Sequence, residues 1–267
     1  MPVSELQGRI LREIAANRSP ESYVAGATVL HRAESSPRFS EDLDLFHDIA
    51  DAVAVSAEAD AQTLRKAGYP LTWVLQTPTF YRAVAEVAGQ SLKLEWAHDS
   101  AFRFFPVESD ELCGYRLHSV DAAVNKVLAM AGRMEVRDFV DVLHVDAECL
   151  RLGTLAWAAC GKDPGFTPDF LLEQANAHTA YRAADLARLH LRAPLELPML
   201  KRQWLEAIDR ARGLVNRLPD QDLGCLYLDG DGSPVNPEPS SGRISRLHRH
   251  FGSVGGAWPA VTDAPRG

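Results

Sequence analysis

Long apolar runs are missing from this sequence. None approaches the roughly 18–20 residues that a membrane-crossing helix needs, so no membrane association is expected. The opening segment, MPVSELQGRILREIAANRS, is amphipathic and lacks the basic-then-apolar layout of an export signal, which leads to the expectation of a cytoplasmic protein. Cysteine is scarce. Cys113, Cys149, Cys160 and Cys225 are far apart with no CxxC pair, which argues against a structural zinc site or a disulfide framework. Basic excess is missing too: 36 acidic residues stand against 28 basic, a net charge of −8. That argues against a protein coating nucleic acid through bulk positive charge, though a local patch near Arg133, Arg137, Lys201 and Arg202 remains available. The GxxxxGK[ST], HExxH and GxSxG patterns are all absent, which removes support for a P-loop NTPase, a zincin or an α/β-hydrolase.

What is present is ordinary globular composition, 46% hydrophobic and 24% charged, over 267 residues, enough to bury a core. Three regions are expected, with no internal repeat. Residues 1–118 read as a mixed α/β core. SELQGRILREIAANRS opens with a possible cap at Ser4 and carries Ile10, Leu11 and Ile14 at helical spacing. ESYVAGATVLHRA approaches Gly26 and then turns helical. RFSEDLDLF alternates like a strand, and the Ala-rich segment after it reads as a helix ended by Gly68. LTWVLQT, FYRAVAEVAG and QSLKLEWAHD are three candidate strands, the last two forming a hairpin around Ala88–Gly89–Gln90.

Residues 119–218 read as a helical domain. Ser119 is the expected cap of its first helix, and Pro168 suits the first turn of another. Residues 219–267, rich in Gly, Pro, Ser and Asp, read as turns and a loosely ordered tail with one basic segment, RISRLHRHF. The fold class expected is α+β: a mixed β-sheet with flanking helices, followed by helices.

Chemistry concentrates in Ser40–Glu41–Asp42–Leu43–Asp44–Leu45–Phe46. On a strand, Ser40, Asp42 and Asp44 share one face, and Leu43 and Leu45 take the other. Two carboxylates so placed repel unless water solvates them or a cation neutralises them, and carboxylate oxygens are the hard ligands that Mg²⁺ prefers. A metal pair held this way activates a hydroxyl and steadies a leaving pyrophosphate. By itself a DxD is common, and an acidic exposed edge is the first reading of it. In SLKLEWAHD, Leu92, Leu94 and Trp96 point to the core while Lys93 and Glu95 face the other side, where Glu95 is either a third carboxylate or a surface residue.

Gly26 sits where a strand turns into a helix, a place for phosphate-binding backbone N–H groups or for a simple turn. Lys126, Arg133 and Arg137 would share a face on one continuous helix that Gly132 can interrupt. They are either triphosphate ligands facing the carboxylates or a solvated face of ion pairs with Asp138 and Asp141.

Together these residues resemble the AbiEii/AbiGii-type toxin nucleotidyltransferases, over about residues 20–150. Gly26–Ala27 matches the family's first motif. Arg38–Phe39–Ser40–Glu41–Asp42–Leu43–Asp44 matches the Arg-Phe-Ser-x-Asp-x-Asp strand, and LKLEW offers Glu95 as the third carboxylate. Lys126 with Arg137, Asp138 and Asp141 matches the helical lysine and the Arg-Asp-x-x-Asp run. Two positions depart from the pattern: Ala27 replaces a glycine or small polar residue, and Glu95 stands where aspartate is more usual.

The resemblance implies a nucleotidyltransferase fold and transfer of a nucleoside monophosphate from an NTP to an acceptor hydroxyl of RNA, tRNA or protein. It implies Mg²⁺ or Mn²⁺ on Asp42, Asp44 and Glu95. It also implies phosphate contacts from Gly26, Ala27, Ser40, Lys126 and Arg137, orientation of the lysine or proton transfer by Asp141, and a cognate antitoxin. A non-catalytic nucleotide-binding module and an enzyme nucleotidylating a small molecule such as an antibiotic are the competing expectations.

Overall fold

The alternating segments of the N-terminal half assemble one seven-stranded mixed sheet. The computed structural model describes residues 3–32, 35–239 and 244–259. Its strands are β1 (Ser22–Ala25), β2 (Asp42–His47), β3 (Leu71–Thr77), β4 (Phe80–Val87), β5 (Gln90–His98), β7 (Glu108–Asp110) and β8 (Gly114–Arg116). They lie in the order β3-β4-β5-β2-β1-β8-β7. The hairpin β4–β5 turns through Ala88 and Gly89, both at positive φ as a two-residue turn requires. The parallel pairing of β2 with β5 needs a crossover, which α3 (Ala52–Lys66) and the β3–β4 hairpin supply.

Helix α1 (Glu5–Ile14) starts at the expected cap. The Ser4 hydroxyl accepts from the Gln7 amide, and the Gln7 side chain accepts from the Ser4 N–H, a reciprocal box. Its stripe Ile10, Leu11 and Ile14 is fully buried with Val53, Ala57 and Leu64 of α3 and with Leu43, Leu45, Leu94 and Trp96 of the sheet. Each such aliphatic side chain contributes about 1.5–3 kcal/mol relative to exposure.

One polar cluster interrupts this core. Asp60 of α3 accepts 2.6 Å bonds from Arg18, a 2.7 Å bond from Trp96 Nε1 and a 2.8 Å bond from Asn17. The cluster fastens α3 to β5, the strand that carries Glu95.

The chain divides into two compact units. The first is Met1–Ala101, Pro106–Ala122 and Leu189–Pro194; the second is Phe102–Phe105, Ala123–Arg188 and Leu195–Gly267. The return of 189–194 explains the Arg38–Phe39 pair. Arg38 bridges Leu191, the Phe39 N–H donates to the His190 carbonyl, and the Phe39 ring lies 4.7 Å from His190 and 4.9 Å from the Arg192 guanidinium.

In the second unit, α4 (Ser119–Gly132, entering from the first) is followed by α5 (Val136–Glu148), α6 (Leu152–Lys162), α7 (Pro168–Ala177), α8 (Ala183–Leu186) and α9 (Leu197–Val215). Helix α6 is apolar on every side and lies among α7 and α9. Ser119 is the first helical residue rather than the cap, and His118 Nδ1 accepts from the Val120 N–H in its place. The helix stops at Gly132, the poorest helix former apart from proline, and resumes at Val136, so α4 and α5 are two helices.

The expectation of turns and loose tail after 219 is corrected for the described residues. Strand β9 (Cys225–Leu228) is buried along its whole length and pairs antiparallel with β10 (His248–Phe251). Strand β11 (Ser253–Val254) pairs with β6 (Phe102–Arg103). A short apolar run, CLYL, makes a buried strand that the surrounding Gly, Pro and Asp residues obscure in the sequence. Residues 240–243 and 260–267 of that expected tail lie outside the described residues.

Candidate active site

Strands β2 and β5 run parallel with Asp42 opposite Lys93 and Asp44 opposite Glu95. Alternation puts these four side chains on one face, while Leu43, Leu45, Leu94 and Trp96 fill the core on the other. The sequence pairing of DxD with KxE becomes a two-by-two array of charge. Asp42, Asp44 and Glu95 each present a carboxylate oxygen, and these oxygens lie within 4.8 Å of one another. Ligands across an octahedral Mg²⁺ are about 4.2 Å apart, and an all-oxygen carboxylate set of this spacing has the chemistry of a site for a hard divalent cation.

Two cations lie in the same array. Lys93 Nζ is 2.8 Å from Asp42 and 3.2 Å from Glu95. Arg82, opposite Glu95 on β4, donates to it at 2.9 Å. Burial pulls the Lys93 pKa down, but the hydrogen bond and charge of Asp42, with Glu95, outweigh it and leave the ammonium above its ordinary value. Alternation alone put Lys93 on the Glu95 face. Its grip on Asp42, and the Arg82 contact, required strand register.

Gly26 has a steric role beyond a simple turn. It adopts φ +65°, ψ −151°, and a Cβ built there would lie 1.8 Å from Asp44 Oδ2. Only glycine lets the β1 turn reach this close to the carboxylate. Helix α2 (Ala27–Leu30) that follows is a single turn with Ala27 buried in it. The Ser40 hydroxyl donates to the Asp42 carbonyl at 2.8 Å, and the Thr28 hydroxyl donates to the Ser40 hydroxyl and to the same carbonyl at 3.3 Å. Gln7 Nε2 donates to the Ser40 carbonyl. Ser40 and Thr28 thereby fix the start of β2. Thr28 escaped the sequence reading because a lone threonine carries no motif.

In the second unit the break between α4 and α5 folds the basic and acidic residues onto each other. Lys126 Nζ lies 2.9 Å from Asp138 and 3.0 Å from Asp141. Arg133 Nε donates to Asp138 at 2.7 Å, and both carboxylates are wholly inaccessible. Burial alone would raise the Asp138 pKa, but Lys126 and then Arg133 prevail and hold it below the usual carboxylate range. Lys126 and Asp141 therefore meet, as Asp42, Asp44 and Glu95 do within the first unit. Arg133 Nη2 also lies 3.3 Å from the other Asp138 oxygen, so this guanidinium spans the carboxylate. Arg137 lies half-buried on α5. His248 and His250 belong to β10, where His250 Nε2 lies 2.8 Å from the Phe104 carbonyl oxygen and its ring stacks on Phe105. Among the described residues no helix is long and apolar enough to cross a membrane.

Residues 9–222 match the family model described as nucleotidyl transferase AbiEii toxin, type IV toxin–antitoxin system. No curated protein matches the chain. Among solved structures, the fold is similar to that of MenT4, a nucleotidyltransferase toxin from Mycobacterium tuberculosis H37Rv, with TM-score 0.57 and 15% identity over 81% of this chain and 83% of that one. It is also similar to a candidate nucleotidyltransferase from H. pylori, with TM-score 0.50 and 18% identity over 79% of this chain and 94% of that one. At these identities the structural likeness speaks for the fold.

Proposed function

Because this chain belongs to the AbiEii family of nucleotidyl transferase toxins, we propose that it moves a nucleoside monophosphate from an NTP to an acceptor hydroxyl, with Mg²⁺ or Mn²⁺ held by Asp42, Asp44 and Glu95. The observation that carries this reading is the convergence of those three carboxylates on paired strands, within reach of one ion. A divalent ion there would lower the charge on the phosphates and on the attacking oxygen. Gly26 lets the turn crowd against Asp44 and limits the positions its carboxylate can take. Ser40 and Thr28 hold the start of β2, which sets Asp42.

Lys126, which matches the helical lysine of the family motif, supplies positive charge to the triphosphate on this reading, and Asp141, 3.0 Å away, orients its ammonium. Arg137 and the Gly26–Ala27 backbone add phosphate contacts. RNA, tRNA among it, or a protein hydroxyl is the acceptor favoured by the family, and a cognate antitoxin restrains the activity in a cytoplasmic setting.

Label transfer tests this reading. The protein is incubated with Mg²⁺, each of four α-labelled NTPs, and total tRNA or cell extract, beside an Asp42→Asn/Asp44→Asn control of unchanged melting temperature. Label reaching RNA or protein with the native chain alone is the expected result. Label on a small molecule in the absence of RNA and protein would replace the acceptor class. Tight NTP binding with no product on any acceptor would refute transfer.

A further inference from the structure

We propose that Lys93 is a resident counter-ion of the acidic array, which a divalent cation must displace from Asp42 in order to bind. The inference rests on the reading of Asp42, Asp44 and Glu95 as the metal ligands, and goes beyond it by giving a role to a residue that no part of that reading uses.

Register dictates the geometry. Lys93 stands directly opposite Asp42 and two residues before Glu95 on the same strand, so its side chain rises from the face that carries all three carboxylates. Its ammonium bridges Asp42 Oδ2 and Glu95 Oε1 at 2.8 and 3.2 Å. A Mg²⁺ or Mn²⁺ ion sits at about 2.0–2.2 Å from its carboxylate oxygens. An ion shared by Asp42 and Glu95 would share those partners with the ammonium, at a separation where two cations repel strongly.

Lys93 is well suited to yielding. Its side chain is about one-third exposed, and four rotatable bonds let the ammonium swing away while its stem stays on β5. Arg82, on the neighbouring strand β4, donates to the same Glu95 oxygen and keeps one cation on that carboxylate during the exchange. The released ammonium is then next to the array and able to take an anion that arrives with the metal, the phosphate of an NTP. Lys93 is a positioning residue on this account. It keeps the carboxylates together without metal and makes bare-metal binding weak.

The test is Mn²⁺ binding, followed by the loss of free-ion electron paramagnetic resonance signal on titrating the full chain without nucleotide. Four proteins are compared: native, Lys93→Met, Lys93→Arg and Asp42→Asn/Asp44→Asn. The expected result is that Lys93→Met binds Mn²⁺ about tenfold more tightly than native, the factor carried by about 1.4 kcal/mol from one close charge pair. Lys93→Arg keeps the competing charge and stays near the native affinity, and the double Asn variant loses the site.

A merely structural lysine gives the opposite sign, because its removal would loosen the carboxylates and weaken binding. Unchanged or weaker binding in Lys93→Met, with the double Asn variant still defective, overturns the role of Lys93 and leaves the metal site standing. Equal binding by native and double Asn proteins, or none by native and Lys93→Met alike, overturns both.

Discussion

Replacing Gly26 by alanine should damage both stability and metal binding, by amounts that can be separated. The first cost is the backbone. At φ +65°, ψ −151° the residue lies in a region essentially reserved for glycine, and holding a side chain there costs on the order of 1–3 kcal/mol. The second is the carboxylate. The new methyl would lie 1.8 Å from Asp44 Oδ2, 2.6 Å from Cγ and 3.0 Å from Cβ. Reaching ordinary contact near 3.5 Å requires the carboxylate to move by about 1.5 Å or more. That is a large displacement for a ligand whose partners lie within 4.8 Å.

The expected loss is therefore about 2–4 kcal/mol, or roughly 5–10 °C in melting temperature for a chain of this size. Mn²⁺ affinity should fall alongside. Thermal unfolding of Gly26→Ala in native and Asp44→Ala backgrounds isolates the second term. Asp44→Ala removes the two closest atoms and leaves only the 3.0 Å contact, so the alanine should cost less there. An equal cost in both backgrounds, or native Mn²⁺ affinity in Gly26→Ala, would refute the argument that glycine is needed to clear the carboxylate.

Two other predictions follow from buried charge. His47 is fully buried on β2 with neither ring nitrogen hydrogen-bonded, and burial, then Arg18, pushes its pKa down to about 4. The unfolded chain takes up this proton near 6.5 and the folded one only near 4, so the stability tied to neutral His47 is full above 6.5 and lost as pH falls through this window. The loss is about 3 kcal/mol at most. His47→Leu should flatten the urea-unfolding free energy between pH 6.5 and 4, and an unchanged slope would count against a proton-free His47. Lys126→Ala removes a cation shared by two inaccessible carboxylates and should cost about 3–5 kcal/mol, near 10 °C by calorimetry. A melting temperature within a degree or two of native would show that the cluster carries little of the fold, and any lost transfer would then be chemical alone.

Much of the molecule is local in origin. The Ser4–Gln7 box, the α1 stripe, the Ala88–Gly89 turn and the alternation of DLDLF and LKLEW depend on neighbours within a few residues, and periods of 3.6 and 2 display them directly. The pattern of Gly26, Ser40–Asp42–Asp44, Glu95, Lys126 and Asp141 was enough to point to the family, because that pattern is carried by order and spacing. The buried strand β9 was not legible, since four apolar residues among Gly, Pro and Asp have no period to read. Short β7 and β8 escaped for the same reason.

Tertiary structure decided which charges meet. Whether Glu95 faces Asp44 or water depends on strand register, a single residue of slip sending it to the opposite face. Register also decided that Lys93 grips Asp42 and that Arg82 reaches Glu95. The turn after Gly132 decided that Lys126 lies against Asp138 and Asp141 instead of along one helix with Arg137. Gly26 marked a turn in the sequence, but its need to be glycine comes from Asp44, eighteen residues later. Side-chain alternation and helical stripes are properties of one segment, whereas a charge array exists only once separate segments are set at a fixed distance, and that distance is a property of the packed fold.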